Sequence, residues 1–415
     1  MTTAGTRVRN PRRAVFAIVD AGVSSLGNFA FSWIGALTLS LTDFGLLSLA
    51  MVVGLLSQAL MKALIIDAYT LGYAGGSSAR QRTAGGAALG AVLVAAIAWS
   101  VCLACVWAVT GSAVWAGLAV AGVPLALHDS ARWIAFARGR VGLAAFGTGV
   151  WTLLSAVSVG ALVAADMFSP TSVVLCWGLT SSVSALLMIR MLGVAPQPSR
   201  TAEWFREHRG VGMRSSLDFG LTQSVAYGGG IILSALAGPA AFGLLRLAQL
   251  PLAAVQVVIA GSVSAMQPAL VRRIRSSQPE EAGRMAATVG IVLVVATLTC
   301  TATVVLLPNA LWVVILGESW PDAAGLVPIL AAGLVGSALA SSAGPLLRAQ
   351  GMLHREVVIK SVVTPVTITG IALGAGLGGV VGGSLAMSSG ALVVGIGLTV
   401  VAYRCRKTRL RAATL

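Results

Sequence analysis

The sequence predicts an all-α polytopic membrane protein of about twelve transmembrane helices in two six-helix lobes, and three observations predict it. Hydrophobic residues fill 57% of the 415 positions and charged residues only 10%, with a mean hydropathy of +0.91, which leaves too few polar side chains to cover a soluble globule of this size. Apolar runs longer than about eighteen residues recur along the chain, and each can cross a hydrocarbon core of about 30 Å as a helix rising roughly 1.5 Å per residue. Basic residues collect in short clusters at every second connection between the runs, a pattern that encodes topology. The short alternating segments that a membrane barrel needs are missing.

The spans fall at 14–40, 43–66, 85–109, 112–134, 142–165 and 170–192 in the first half, then 215–237, 240–267, 285–307, 323–346, 356–376 and 380–403. Arg7, Arg9, Arg12 and Arg13 precede the first run and imitate a signal peptide, but the run is too long for a signal-peptide core and more spans follow, so it reads as a retained first helix. The longest polar segment, with Pro196, Pro198 and the charged stretch Glu203 to Arg209, separates the halves. The expected organisation is a six-helix lobe over 1–192, a cytoplasmic linker over 193–214, and a second six-helix lobe with a basic tail over 215–415.

Placing the N-terminus inside puts Arg80, Arg82, Arg132, Arg138, Arg140, the Arg200 to Arg214 stretch, Arg272, Arg273, Arg275, Arg284, Arg355 and the tail on the cytoplasmic side. The opposite connections hold no Lys or Arg, while Asp43, Asp166, Glu318 and Asp322 fall there. Both termini are therefore expected in the cytoplasm, with the chain multi-pass in the cell membrane. The net charge of +15 is accounted for by these loops, and no nucleic-acid partner is expected. Lys62, Lys360 and Lys407 are the only lysines among the 28 basic residues; with abundant Ala, Gly and Val, this points to a GC-rich bacterial genome. Cys102, Cys105, Cys176 and Cys300 lie in spans and Cys405 in the tail, so no disulfide framework is expected. Cys102 and Cys105 share a helical face in the third span and read as packing residues rather than a metal or redox pair.

An internal repeat supplies the architecture. Aligning Asp20 with Asp218 without a gap brings Phe44-Gly45-Leu46-Leu47 onto Phe242-Gly243-Leu244-Leu245, and Gln58 onto Gln256. Six spans separate the matching helices, so both copies cross in the same direction, the parallel arrangement of two bundles around an axis along the membrane normal. Gly228-Gly229-Gly230, Pro251, Pro345 and Pro365 lie inside spans, where they permit close contacts and kinks. The Gly374 to Gly383 stretch is expected to form the tight outer turn between the last two helices.

The only histidines, His128, His208 and His354, are not paired with a second ligand, and neither a phosphate-binding loop nor a nucleophile elbow is present. No enzymatic activity and no cofactor or metal are expected. Charges within spans carry the information, because an ionised group at membrane depth costs about 3 kcal/mol on insertion scales and needs partners or water. Asp20 and Asp218 admit two readings: carboxylates that hold a coupling proton or sodium ion, or anions favoured by the macrodipole at a helix start. Lys62, near the same face, is placed to neutralise Asp20. Arg246 either snorkels or presents its planar fork to phosphate oxygens in a cavity.

The stretch from Asp20 to Phe29 followed by Asp43-Phe44-Gly45 resembles the opening of Wzx-type polysaccharide flippases, members of the multidrug/oligosaccharidyl-lipid/polysaccharide exporter superfamily. His128 to Arg140 is similar to the fourth helix of those proteins and its basic exit, and Leu316 to Trp320 with Leu346 to Gly351 is similar to the region around their tenth helix. The resemblance implies the MATE-like fold and movement of a lipid-linked oligosaccharide or polysaccharide precursor to the outer leaflet. It implies substrate-binding roles for Arg246, Lys62 and Arg132, where a pyrophosphate or sugar acid would be received. The partners expected are the lipid-linked glycan, a proton or sodium ion, membrane lipid, and glycosyltransferases or a polymerase. Two other readings stay open: a cation-coupled multidrug exporter with Asp20 as binding acid, and a non-transporting scaffold that recruits glycosyltransferases.

Overall fold

The computed structural model describes residues 11–74, 76–276 and 278–413. Arg7 and Arg9 of the first basic cluster lie outside the described residues, as do the side chains of Arg12, Arg13 and residues 405–413 in the basic tail. No strand occurs among the described residues. The first half contains α1 (Pro11–Thr38), α2 (Leu41–Met61), a π-helical turn (Lys62–Ile66), α3 (Asp67–Tyr73), α4 (Ser78–Thr110), α5 (Ala113–Ala137), α6 (Val141–Ala164) and α7 (Pro170–Leu192). The second contains α8 (Thr201–Gln223), a π-helical turn (Ser224–Gly228), α9 (Gly229–Ala237), α10 (Pro239–Gln249), α11 (Ala253–Arg275), α12 (Pro279–Leu306), α13 (Asn309–Leu316), α14 (Trp320–Ala324), α15 (Val327–Ala349) and α16 (Leu353–Ala413).

Among the described residues, eight helices are long and apolar enough to cross a membrane, and ten are if each of two bent pairs is one span. One of the eight, α16, is two helices meeting at Gly378 and Gly379, the latter at a φ of 56° that side-chain-bearing residues rarely adopt. Its legs approach so closely that a Cβ on Gly374 would lie 2.4 Å from the Gly382 carbonyl oxygen, so the glycine-rich stretch is the tight turn expected there. Dividing α16 raises the ten to eleven, and α1, which is not among these candidates, occupies the position of the first expected span. The chain is a multi-pass, all-α membrane protein.

Three local features depart from a simple span-and-loop reading. The expected linker is mostly helical, since α8 begins at Thr201 and runs without a break into the seventh span; the chain then bends by 57° at the second π-helical turn. Pro251 breaks the eighth span, with α10 and α11 meeting at 69°, because proline lacks the N–H that the helix ladder needs. Pro345 and Pro365, by contrast, sit inside uninterrupted helices. The connection after α12 folds into α13 and α14, and Trp320 is buried there against the Trp312 ring at 5.3 Å.

The chain divides into two compact units. One combines residues up to Phe31 with Ala50–Phe219; the other combines Ser32–Leu49 with Gly220 onward. Small residues set the helix spacing in each. In the first unit, α5 and α7 meet where a Cβ on Gly178 would lie 2.3 Å from that of Ala121. In the second, α15 and α16 meet with Gly395 against the Gly336 carbonyl oxygen. Such backbone approach replaces the hydrophobic driving force that lipid removes.

The repeat motif has a structural counterpart within the second unit. A Cβ on Gly45 would lie 1.9 Å from the carbonyl oxygen of Pro239, and a Cβ on Gly243 would lie 2.5 Å from that of Leu41. Leu41 and Pro239 are themselves equivalent under the repeat, so the two copies grip each other reciprocally at their Phe-Gly turns. Each neighbouring Phe packs on a glycine of the helix before it, Phe44 on Gly35 and Phe242 on Gly230. Gly45→Ala and Gly243→Ala are each expected to destabilise the protein, by on the order of 1–3 kcal/mol for an overpacked contact. Gly22→Ala, where nothing lies within 4 Å, should leave the melting temperature unchanged or raise it; thermal unfolding of the three variants checks this.

Candidate functional site: a buried ion cluster

Asp20 lies on α1 with 1% of its surface exposed. Arg132 of α5 meets it side-on: Nε donates to both carboxylate oxygens, at 3.1 and 3.0 Å, and a terminal guanidinium nitrogen donates to Oδ2. The hydroxyl of Thr148, on α6, donates to Oδ1. Three helices thus converge on one carboxylate. The other terminal nitrogen of Arg132 donates to Asp129 at 3.2 Å, a pairing set by helix geometry, since residues three apart share a face.

Lys62 occupies the start of the first π-helical turn. The wider turn bonds the Asp67 N–H to the Lys62 carbonyl and brings the two side chains together, with the ammonium 2.7 Å from the Asp67 carboxylate. That ammonium also sits 4.7 Å from the centre of the Trp133 ring, and the Arg132 guanidinium lies 5.6 Å from the same ring. Trp133 therefore links the two cations, each with the favourable cation–π geometry. The pairing of Lys62 with Asp20 expected from sequence is not made: Arg132 takes Asp20 and Asp67 takes Lys62, because the π-helical turn supplies Lys62 with a carboxylate on its own chain segment.

The other predicted residues have different surroundings. Asp218 is exposed on α8 and makes no ion pair among the described residues. Arg246 occupies the last turn of α10, beside the break at Pro251. One of its terminal nitrogens donates to Gln249 at 3.0 Å, while its Nε is buried without a hydrogen-bond partner. Of the five predicted residues, the structure joins Asp20 and Arg132 directly, with Lys62 beside them through Trp133.

Sequence reasoning missed Asp129, Asp67, Thr148 and Trp133. Asp129 carried a signal, being a charged residue inside a predicted span three positions before Arg132. Thr148 carried none. A second buried carboxylate was also missed: Glu356, 4% exposed, holds Lys360 at 2.7 Å and Arg348 at 3.2 Å in the second unit. A cavity of about 340 Å³ lies elsewhere in the first unit, lined among others by Tyr73, Arg80, Trp204 and Glu207, and contains none of the predicted residues. No group of three or more His, Cys, Asp or Glu side chains is placed to hold a metal ion among the described residues.

Removing one partner of a buried ion pair leaves the other uncompensated, so Arg132→Ala is expected to cost about 3–5 kcal/mol. Replacing both partners by apolar residues, as in Asp20→Leu with Arg132→Met, should recover most of it. Lys62→Ala, at a pair roughly a third exposed, should cost under about 1 kcal/mol. Melting temperatures of the purified variants in one detergent give the ranking.

No protein-family model and no curated protein sequence matches the chain. Solved structures do. A MATE transporter in complex with MaL6 superposes with a TM-score of 0.62 at 15% identity, covering 97% of this chain and 96% of the other. A MOP superfamily transporter from Pyrococcus furiosus gives 0.59 at 14% identity over 96% and 95%. The lipid II flippase MurJ in an inward closed conformation gives 0.66 at 10% identity over 93% and 86%. What is shared at these identities is the architecture, and the chain has the fold of the MATE and MurJ structures.

Proposed function

We propose that the protein moves a lipid-linked oligosaccharide or polysaccharide precursor across the cytoplasmic membrane by alternating access. The observation that carries this reading is a set of cations held inside apolar helix bundles, in a fold shared with a lipid II flippase. An isolated cation is costly at such depth, and a guanidinium fork matches phosphate oxygens bidentately. Arg246 fits this role best of the three candidates, since its Nε lacks a partner. Lys62 and Arg132 already hold carboxylates, and in this reading they contribute positive charge along the path of a pyrophosphate or sugar acid. In this reading the lobes over 1–192 and 215–415 rock about the linker, the termini and basic loops face the cytoplasm, and the lipid tail stays in the bilayer. An ion gradient drives the cycle and glycosyltransferases supply the substrate; of the two carboxylates singled out by sequence for coupling, Asp20 is committed to Arg132 and Asp218 is exposed, which leaves the coupling group to be sought beside them.

Reconstituted vesicles containing a fluorescent lipid-linked glycan test the proposal. Wild-type protein should expose the glycan to an external quencher, and Arg246→Ala with Lys62→Ala should slow this at least about tenfold, the equivalent of 1.4 kcal/mol of lost binding. Equal flux in both would remove the proposed roles of these residues.

A second reading, a cation-coupled multidrug exporter, is supported by the likeness to MATE transporters. It predicts that a deletion strain becomes sensitive to cationic drugs while its surface polysaccharide is normal, whereas loss of polysaccharide without drug sensitivity favours the flippase.

A further inference from the structure

Among the described residues the cluster contains more carboxylates than cations: Asp20 is buried, Arg132 and Asp129 are mostly buried, and the Lys62–Asp67 pair is about a third exposed. Asp20, Asp67 and Asp129 share Lys62 and Arg132, and the two cations are joined across the Trp133 ring. The bonds are not shared evenly. Asp20 receives three from Arg132 and one from Thr148. Asp67 holds the Lys62 ammonium at 2.7 Å. Asp129 has a hydrogen bond from Arg132 at 3.2 Å and a neutral one from the Trp133 side chain, and the cations that act on it, Arg132 and Lys62, are both engaged at shorter range by the other two carboxylates.

Among the described residues, nothing else packed against α5 supplies a counter-charge. From α1 comes Asp20, another anion, and from the π-helical turn and α3 come Lys62 and Asp67. Helix α6 carries no charged residue and contributes Thr148. The charged residues of α4 and α7 are Arg80, Arg82 and Arg190, none of which pairs with Asp129. On α5 itself, His128 lies against the Trp151 ring at 5.0 Å with its Nδ1 lacking a partner, so charging it would add a cation with no acceptor. Just beyond the helix, Arg138 and Arg140 are committed to the Leu192, Gln81 and Met191 carbonyls.

An ionised Asp129, its side chain 15% exposed, therefore leaves one uncompensated negative charge among the described groups of the cluster, which is unfavourable wherever water is excluded. A proton on Asp129 cancels that charge and leaves both ion pairs intact. Asp20, by contrast, already has Arg132 as its counter-charge, with four hydrogen-bonding contacts from Arg132 and Thr148. We infer that Asp129 is the residue that takes up and releases the coupling proton, while Asp20 remains the partner of Arg132. The inference rests on the transport reading only for the word coupling; the proton site is defined by the cluster alone.

Infrared difference spectroscopy of the full chain in liposomes, between acidic and alkaline pH, reads carboxyl protonation directly and needs no substrate. Acidification should produce a protonated-carboxyl carbonyl band that disappears in Asp129→Asn and persists in Asp20→Asn and in Asp218→Asn. Asp129→Glu, which keeps a titratable group, should keep the band at a displaced frequency, and this separates loss of the proton from loss of the fold. A band unchanged in Asp129→Asn overturns the inference, as does one removed by sodium at fixed pH. In flux assays, a single coupled proton gives up to about tenfold change per pH unit, and Asp129→Asn should flatten this dependence. Flux with an identical pH profile in wild type and Asp129→Asn refutes the proton site and leaves the glycan reading standing. The expected infrared band without any glycan flux refutes the glycan reading and leaves the proton site standing.

Discussion

An ionised carboxylate inside an apolar helix bundle requires a counter-charge, and the rest of the first unit is arranged around the one that Asp20 has. Arg132 can reach it only if α5 packs beside α1, and Thr148 only if α6 completes the same corner. The ion pair is weak as a source of net stability, because desolvating both groups offsets most of their attraction. Its structural force lies in the penalty for separating them. A misregistered α1 or α5 would strand a charge in hydrocarbon, so the pair selects one helix arrangement among several of similar apolar packing.

That selection matters because apolar packing in lipid is permissive. Side chains lose little by facing lipid instead of one another, so helix spacing depends on how closely backbones can approach. The tight places are glycines: Gly178 on Ala121, Gly395 on Gly336, and the reciprocal contacts of Gly45 with Pro239 and Gly243 with Leu41. At these points a methyl group is the difference between contact and collision. Fixed polar pairs inside, with close glycine contacts along the seams, allow helices to be positioned sharply without being immobile. The break at Pro251 and the two π-helical turns then place bends at defined points instead of spreading them along the helices.

Much of this was legible in the sequence for a physical reason: a span's length and hydropathy are properties of the segment itself, and lipid imposes them independently of neighbours. The turn at Gly374 to Gly383, the break at Pro251 and the Phe-Gly repeat were visible for the same reason, each being a local rule about backbone freedom. The partner of Asp20 was not visible. Lys62 looked closer because it follows after one short turn, whereas Arg132 lies 112 positions away and reaches Asp20 only through the lateral order of helices, which periodicity does not encode. The helical linker was hidden by its polarity, since a charged stretch reads as loop until the helix of which it is the solvated start is seen.

The repeat also explains why Asp20 and Asp218 sit in such different surroundings. Helices α5 and α15 end in the same way, with a glycine at positive φ: Gly139 at 72° and Gly351 at 76°. Each N–H of these glycines bonds three residues back, to Phe136 and Arg348, and each following N–H bonds five residues back, to Ala135 and Leu347. Counting back from these matching ends, the position of Arg132 corresponds to Gly344 and that of Asp129 to Ser341. The second copy therefore lacks the guanidinium that would hold its aspartate, and the space at Gly344 is occupied by Arg348 and Glu356, which make a separate ion pair. Asp218 is exposed and has no ion-pair partner among the described residues. The two halves have kept the same backbone ends and the same Phe-Gly grip while placing their buried charges differently, so the halves are alike in scaffold and unlike in chemistry.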